Sequence, residues 1–163
     1  MLFVDDISFP NGWAPHLYQE DVHPEANHVH RRWSNPPAAG IVSQNIWRSY
    51  TTADAQESYT ERRRALFQAR VDTEEIVMPL KPPEEIEFQS TVADEYYLAC
   101  TWERWAYCSY LARYRNYVTY LRLDREAELG TLNSKGLTYA EIETVLTAVD
   151  AKFATYLEQF PEQ

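Results

Sequence analysis

ADEYYLACTWERWAYCSYLARYRNYVTYLRLD, residues 93–124, holds both cysteines of the chain and has neither glycine nor proline. Tyr, Trp, Val and Thr crowd it, and side chains of these kinds pack well on a pleated, half-buried surface, so the stretch reads as sheet core. If Trp102 and Ala106 flank a three-residue turn of Glu103, Arg104 and Trp105, antiparallel pairing sets Cys100 opposite Cys108, and such a pair can bridge. Two separately buried thiols are the alternative. The second arm, Tyr107 to Leu123, exceeds a usual strand of about five or six residues. A bulge at Arg115-Asn116 is expected, because Asn tolerates the backbone geometry it needs; a tight turn at the same place, splitting the arm into two strands, is the competing reading.

Working outward, Glu126 to Gly136 reads as a polar loop, and a helix follows with a doubly specified start. Thr138 and Glu141 form a capping box, while Leu137 and Ile142 supply the hydrophobic staple. Ile142, Val145, Leu146, Val149, Phe153, Tyr156, Leu157 and Phe160 then make a stripe at helical spacing that must pack on the sheet, ending at Pro161. Upstream, Ile86 to Ser90 reads as a further strand, and Val71 to Pro83, with three prolines, as a connection. A first helix is expected from Thr51, capped through Asp54, to near Arg70, with Ala55, Tyr59, Leu66 and Phe67 near one face. Arg62, Arg63 and Arg64 diverge by about 100° per residue and cannot share a face. Asn27 to Trp33 and Ile41 to Tyr50 read as paired strands, Ala14 to Glu25 as a loop or short edge strand, and Ile7 to Trp13 as a short strand with a turn at Pro10-Asn11-Gly12.

The chain of 163 residues is expected to form one α+β domain over 1–163, a twisted antiparallel sheet covered by two long helices. Acidic residues outnumber basic ones 25 to 15, giving a net charge of −10 that repels nucleic-acid phosphates and anionic membrane surfaces. No apolar run approaches the roughly 18 residues needed to span a bilayer, and no secretory leader is evident at Met1. Facing cysteines favour an oxidising, extracytoplasmic setting, with any lipid tether outside this sequence; a cytoplasmic location is the alternative.

Chemistry is sparsely signalled. His16, Glu20, Asp21, His23, Glu25, His28 and His30 are all metal-ligand types, and His28 and His30 share a strand face at period two, yet no established metal spacing is met. We read this as a polar sheet edge and assign neither metal nor cofactor from sequence. Glu84, Glu85 and Glu87, or Asp94 and Glu95, offer carboxylate pairs of unfixed separation, so no catalytic residue is assigned. Trp102, Trp105 and Tyr107 at the hairpin tip are candidates for a partner-contact surface, because large aromatics at a turn are costly to leave in water; the alternative is a tip folded over the core.

CSYLARYRNYVTYLRLD, then a polar loop and GLTYAEIETVLTAVDAKF, resembles the closing half of bacterial extracytoplasmic lipoprotein domains and mycobacterial kinase sensor domains, and FPNGW resembles the start of PsbP-like domains. The resemblance covers about the last seventy residues and the opening turn, and rests on element order and an Arg-x-Asn-x-Val strand pattern. It implies a PsbP-like sheet-and-helix sandwich with an accessory, partner-binding or sensing role outside a membrane. Only Cys108 has a counterpart in those sensor domains. The expected function is a non-catalytic module contacting a protein or small ligand; the alternatives are a metal-dependent or carboxylate-based hydrolase, and a structural subunit of an envelope assembly.

Overall fold

The computed structural model describes residues 2–3, 8–10, 12–15, 21–23, 27–35, 40–67, 82–101, 106–129, 132–134 and 136–160. Its centre is the quoted stretch, folded as β5 (Glu95–Cys100), β6 (Tyr107–Tyr114) and β7 (Tyr117–Asp124). β3 (His28–Asn35) and β4 (Gly40–Arg48) extend this sheet, with β1 (Ala14–Pro15) and β2 (Asp21–His23) on opposite ends of β3. The strand order is β1-β3-β4-β7-β6-β5, every pair antiparallel. The fold is therefore α+β, as its composition implied.

Period-two alternation assigns the two faces of the sheet. Val42, Ile46, Cys108, Tyr110, Ala112, Tyr114, Tyr117, Leu121 and Leu123 point into the main core, where they meet α2 (Tyr139–Gln159). The capping box is complete: Thr138 Oγ1 accepts from Glu141 N–H at 3.3 Å, and Glu141 Oε2 accepts from Thr138 N–H at 2.8 Å. Ile142, Val145, Leu146, Val149, Phe153 and Leu157 are buried as the stripe requires, but Phe160, the helix cap, is 42% exposed. Beneath this helix Tyr114 and Tyr110 both donate to Asp150 Oδ1, a carboxylate held inside the core by two phenols. Burial is the main cause that raises the Tyr114 hydroxyl well above its ordinary value, with Tyr110 and Asp150 adding to it.

The opposite face carries Leu111, Val118, Trp47 and Tyr120, covered by Ala55, Tyr59 and Leu66 of α1 (Thr52–Phe67). Thr51 and Asp54 cap α1 reciprocally. Its arginines diverge as their spacing demands: the Arg62 guanidinium lies 3.5 Å from the Trp47 ring centre, Arg63 lies 4.8 Å from that of Tyr97, and Arg64 is exposed.

Four expectations are corrected. The long arm does not bulge at Arg115-Asn116; these two residues form a tight turn between the paired Tyr114 and Tyr117. Arg115, not Asn116, takes the left-handed backbone, φ 54°, because its N–H is held by the Asp94 carboxylate at 2.6 Å while Asn116 is tied to Ser49. Ile86 to Ser90 is not a strand: Ile86 and Phe88 anchor it to the core, and the Glu87 N–H goes to Glu143 Oε1 at 2.6 Å rather than to a ladder. Within Glu126 to Gly136, the expected loop, β8 (Ala127–Leu129) and β9 (Leu132–Ser134) pair as a small ribbon. Ser8 to Pro10 carry no strand either, since Phe9 is fixed by ring contacts to Trp33 and Trp13 at 5.0 and 6.0 Å. The turn that follows does form: Trp13 N–H donates to Pro10 O, with Gly12 at φ 97°, where a Cβ would sit 3.1 Å from Asn35 Oδ1. Most of the 71–83 connection and residues 68–70 at the expected end of the first helix lie outside the described residues.

Candidate contact site at the disulfide end of the sheet

Cys100 and Cys108 are register partners at the last described pair of β5 and β6, and they form a disulfide with Cα atoms 4.0 Å apart. Thr101 N–H bonds to Tyr107 O at 2.9 Å, so that pair is the hydrogen-bonded one. The cysteines therefore occupy the non-hydrogen-bonded position, where paired Cα atoms come closest, at about 4.5 Å. Both are fully buried. With the sulfurs bonded to each other, neither is available as a thiolate nucleophile.

Trp102 and Trp105 lie outside the described residues. Tyr107 is half-buried on the α1 side of the sheet, where the Arg122 guanidinium lies 4.2 Å from its ring centre. The register supplies a polar row beside it: Arg32 opposes Ser43, Ser43 opposes Arg122, and Arg122 opposes Ser109. Ser109 Oγ and Tyr120 OH share a hydrogen bond of 3.1 Å, and Arg122 Nε lies 3.5 Å from Asp124 Oδ1. Sequence reasoning passed over Arg122 and Asp124, although alternation in YVTYLRLD places both on the face of Val118 and Tyr120.

Burial pushes the Asp124 carboxyl above the ordinary 3.8, against the pull of Arg122, the Ile41 N–H at 3.1 Å and the charge of Arg32. The folded state thus holds this proton to higher pH than the unfolded chain does, so stability from Asp124 is full at low pH and falls as the pH rises through the raised value. Urea unfolding of wild type and Asp124→Asn at pH 4 and pH 7 should show wild type losing stability relative to the variant at the higher pH. A constant difference between the two proteins would contradict this. Burial likewise raises the Tyr120 hydroxyl, with Ser109 and the Arg122 charge opposing. The arrangement is suited to recognition: a half-exposed guanidinium on an aromatic ring, flanked by hydroxyls and one carboxylate.

The other candidates are placed as follows. Asp94 and Glu95 are clamped together by Arg113, 3.0 Å from each, and this pair buttresses the 115–116 turn. His28 stacks on Trp47, ring centres 4.8 Å apart, with its Nε2 3.0 Å from Asn45 Oδ1. β2 sets His23 opposite His28 and Asp21 opposite His30. His16, Glu20 and Glu25 lie outside the described residues, and among the described side chains no three of His, Cys, Asp and Glu converge as a metal-sized group. Among the described residues, no helix is long and apolar enough to cross a membrane. No family model, curated protein or solved structure matches the chain significantly.

Proposed function

We propose that this chain is a non-catalytic binding or sensing module that acts outside the cytoplasm and contacts a protein or small-molecule partner through the Cys100–Cys108 end of its sheet. The observation that carries this reading is the buried disulfide at the last register pair of β5 and β6. A bridge there restrains the strand ends from which the tip departs, which lowers the ordering cost of binding. Stable disulfides belong mostly to oxidising compartments, which favours the extracytoplasmic setting. The resemblance of residues 108–153 to sensor and lipoprotein domains supports an accessory role and a PsbP-like arrangement.

The test is site-specific photo-cross-linking in the native envelope fraction. A benzophenone side chain replacing Glu103 should capture a discrete partner, the same group replacing Glu57 on α1 should not, and Trp105→Ala should reduce capture from position 103 at least tenfold with the circular dichroism spectrum unchanged. Equal capture from both positions, or capture indifferent to Trp105→Ala, would refute the tip as the contact surface.

A further inference from the structure

We propose that the α1-side face of the sheet binds the phosphate group of a small ligand between Arg32 and Arg122, above Ser43. The proposal names a ligand chemistry for the contact role argued above and rests on that reading of this end of the sheet, but it uses no residue of the tip, so the two are tested apart. Ninety residues separate the arginines in the chain, and only the register brings them together. Arg32 of β3 and Arg122 of β7 oppose the same residue, Ser43 of β4, from its two sides. Directly opposed residues share a sheet face, so both guanidinium chains rise from the face that carries the serine hydroxyl. Their Cα positions are two strand spacings apart, about 9.5 Å, a gap that two arginine side chains close from either side over the short serine.

Both arginines have donors to give. Arg32 Nε is buried and makes no hydrogen bond in the structure, a cost that an anion accepting from it would remove. The Arg122 side chain is 45% exposed, and Asp124 Oδ1 stands 3.5 Å from its Nε, longer than an ordinary N–H···O bond. The ring of Tyr107, 4.2 Å from the guanidinium centre, holds that side chain in place and lowers the cost of ordering it. Asp124 is the described carboxylate that faces the site, with its other oxygen engaged by the Ile41 N–H, and the charges of Arg32 and Arg122 both act on it. Two guanidiniums against one carboxylate leave the spot positive. The net charge of −10 belongs to the whole chain, and at physiological salt charges more than about 8 Å away are largely screened, so a small anion responds to the local pair. A planar carboxylate is saturated by one guanidinium fork, whereas phosphate presents oxygens in tetrahedral directions to two forks from separate strands and to the hydroxyl between them.

Inorganic phosphate titrated into the full-length 15N-labelled protein at low salt and neutral pH should shift the arginine Nε–H signals of Arg32 and Arg122 saturably, with a dissociation constant of about 1 mM or tighter. Arg32→Gln and Arg122→Gln should each weaken binding about tenfold, and acetate should bind wild type at least tenfold more weakly than phosphate does. Asp124→Asn, which removes the opposing charge and keeps an acceptor for the Ile41 N–H, should tighten binding. Arg64→Gln, at an exposed position on α1, and Trp105→Ala at the tip should both leave it unchanged. If an arginine variant fails to fold, the two Nε–H signals of wild type decide. No saturable shift of those signals, undiminished binding in Arg32→Gln and Arg122→Gln, acetate binding as tight as phosphate, weaker binding in Asp124→Asn, or loss of binding in Arg64→Gln or Trp105→Ala would each overturn the proposal.

Discussion

Phe153→Ala is expected to lower the free energy of unfolding by about 3 to 5 kcal/mol, the usual cost of emptying a phenylalanine-sized site in a core that cannot collapse around it. Phe153 is fully buried, stacked on Tyr114 with ring centres 4.0 Å apart and planes 5° apart, and set edge-on to Tyr117 at 6.2 Å. The two tyrosines belong to strands joined by the tight 115–116 turn, so the phenylalanine ties α2 to both at once. The cavity would also open beside Asp150, one helical turn away, which is buried and accepts from Tyr114. Urea unfolding monitored by circular dichroism gives the value, with Glu158→Ala, exposed on the same helix, as a control expected to cost under about 0.5 kcal/mol. A loss below about 1 kcal/mol for Phe153→Ala would mean that α2 is not held through this stripe.

Removal of the disulfide is the second large effect. The bridge closes a loop with a sequence separation of 8. For a loop of this size, restricting the unfolded chain is worth about 2 to 3 kcal/mol. Cys100→Ala/Cys108→Ala should be less stable than the oxidised wild type by that amount. Reductant should lower wild type towards the variant and leave the variant unchanged. Denatured, unreduced wild type should show no titratable thiol. Two titratable thiols in protein prepared under oxidising conditions would remove both the bridge and the argument for an oxidising compartment.

Much of the architecture was legible because it depends on local rules. Thr138, Glu141, Leu137 and Ile142 specify the start of α2 by chemistry within five residues, and its stripe is a property of spacing alone. The pairing of Cys100 with Cys108 follows from hairpin symmetry once a three-residue turn is assumed, and the register agrees, although residues 102–105 lie outside the described residues. Two of the errors share a cause, which is a distant partner overriding a local preference. Asp94, twenty-one residues before Arg115, holds that residue's N–H and allows an arginine to take the backbone conformation that suits asparagine better. Glu143, on the far side of the hairpin in sequence, accepts the Glu87 N–H that a strand would have used for pairing.

The candidate sites divide along the same line. Composition and alternation alone determined that the chain is an acidic α+β protein whose aromatic hairpin carries a cysteine pair and whose last helix lies on a sheet. Those properties depend on residues within one or two turns of each other, where spacing translates directly into geometry. The Arg32, Ser43, Arg122 and Ser109 row draws its members from four strands and depends on which residue of each strand faces which of the next. A shift of one residue in the register of any of these strands would send its member to the opposite face of the sheet. Register is chosen by the burial of whole strands against α1 and α2, a collective energy that no short window of sequence contains.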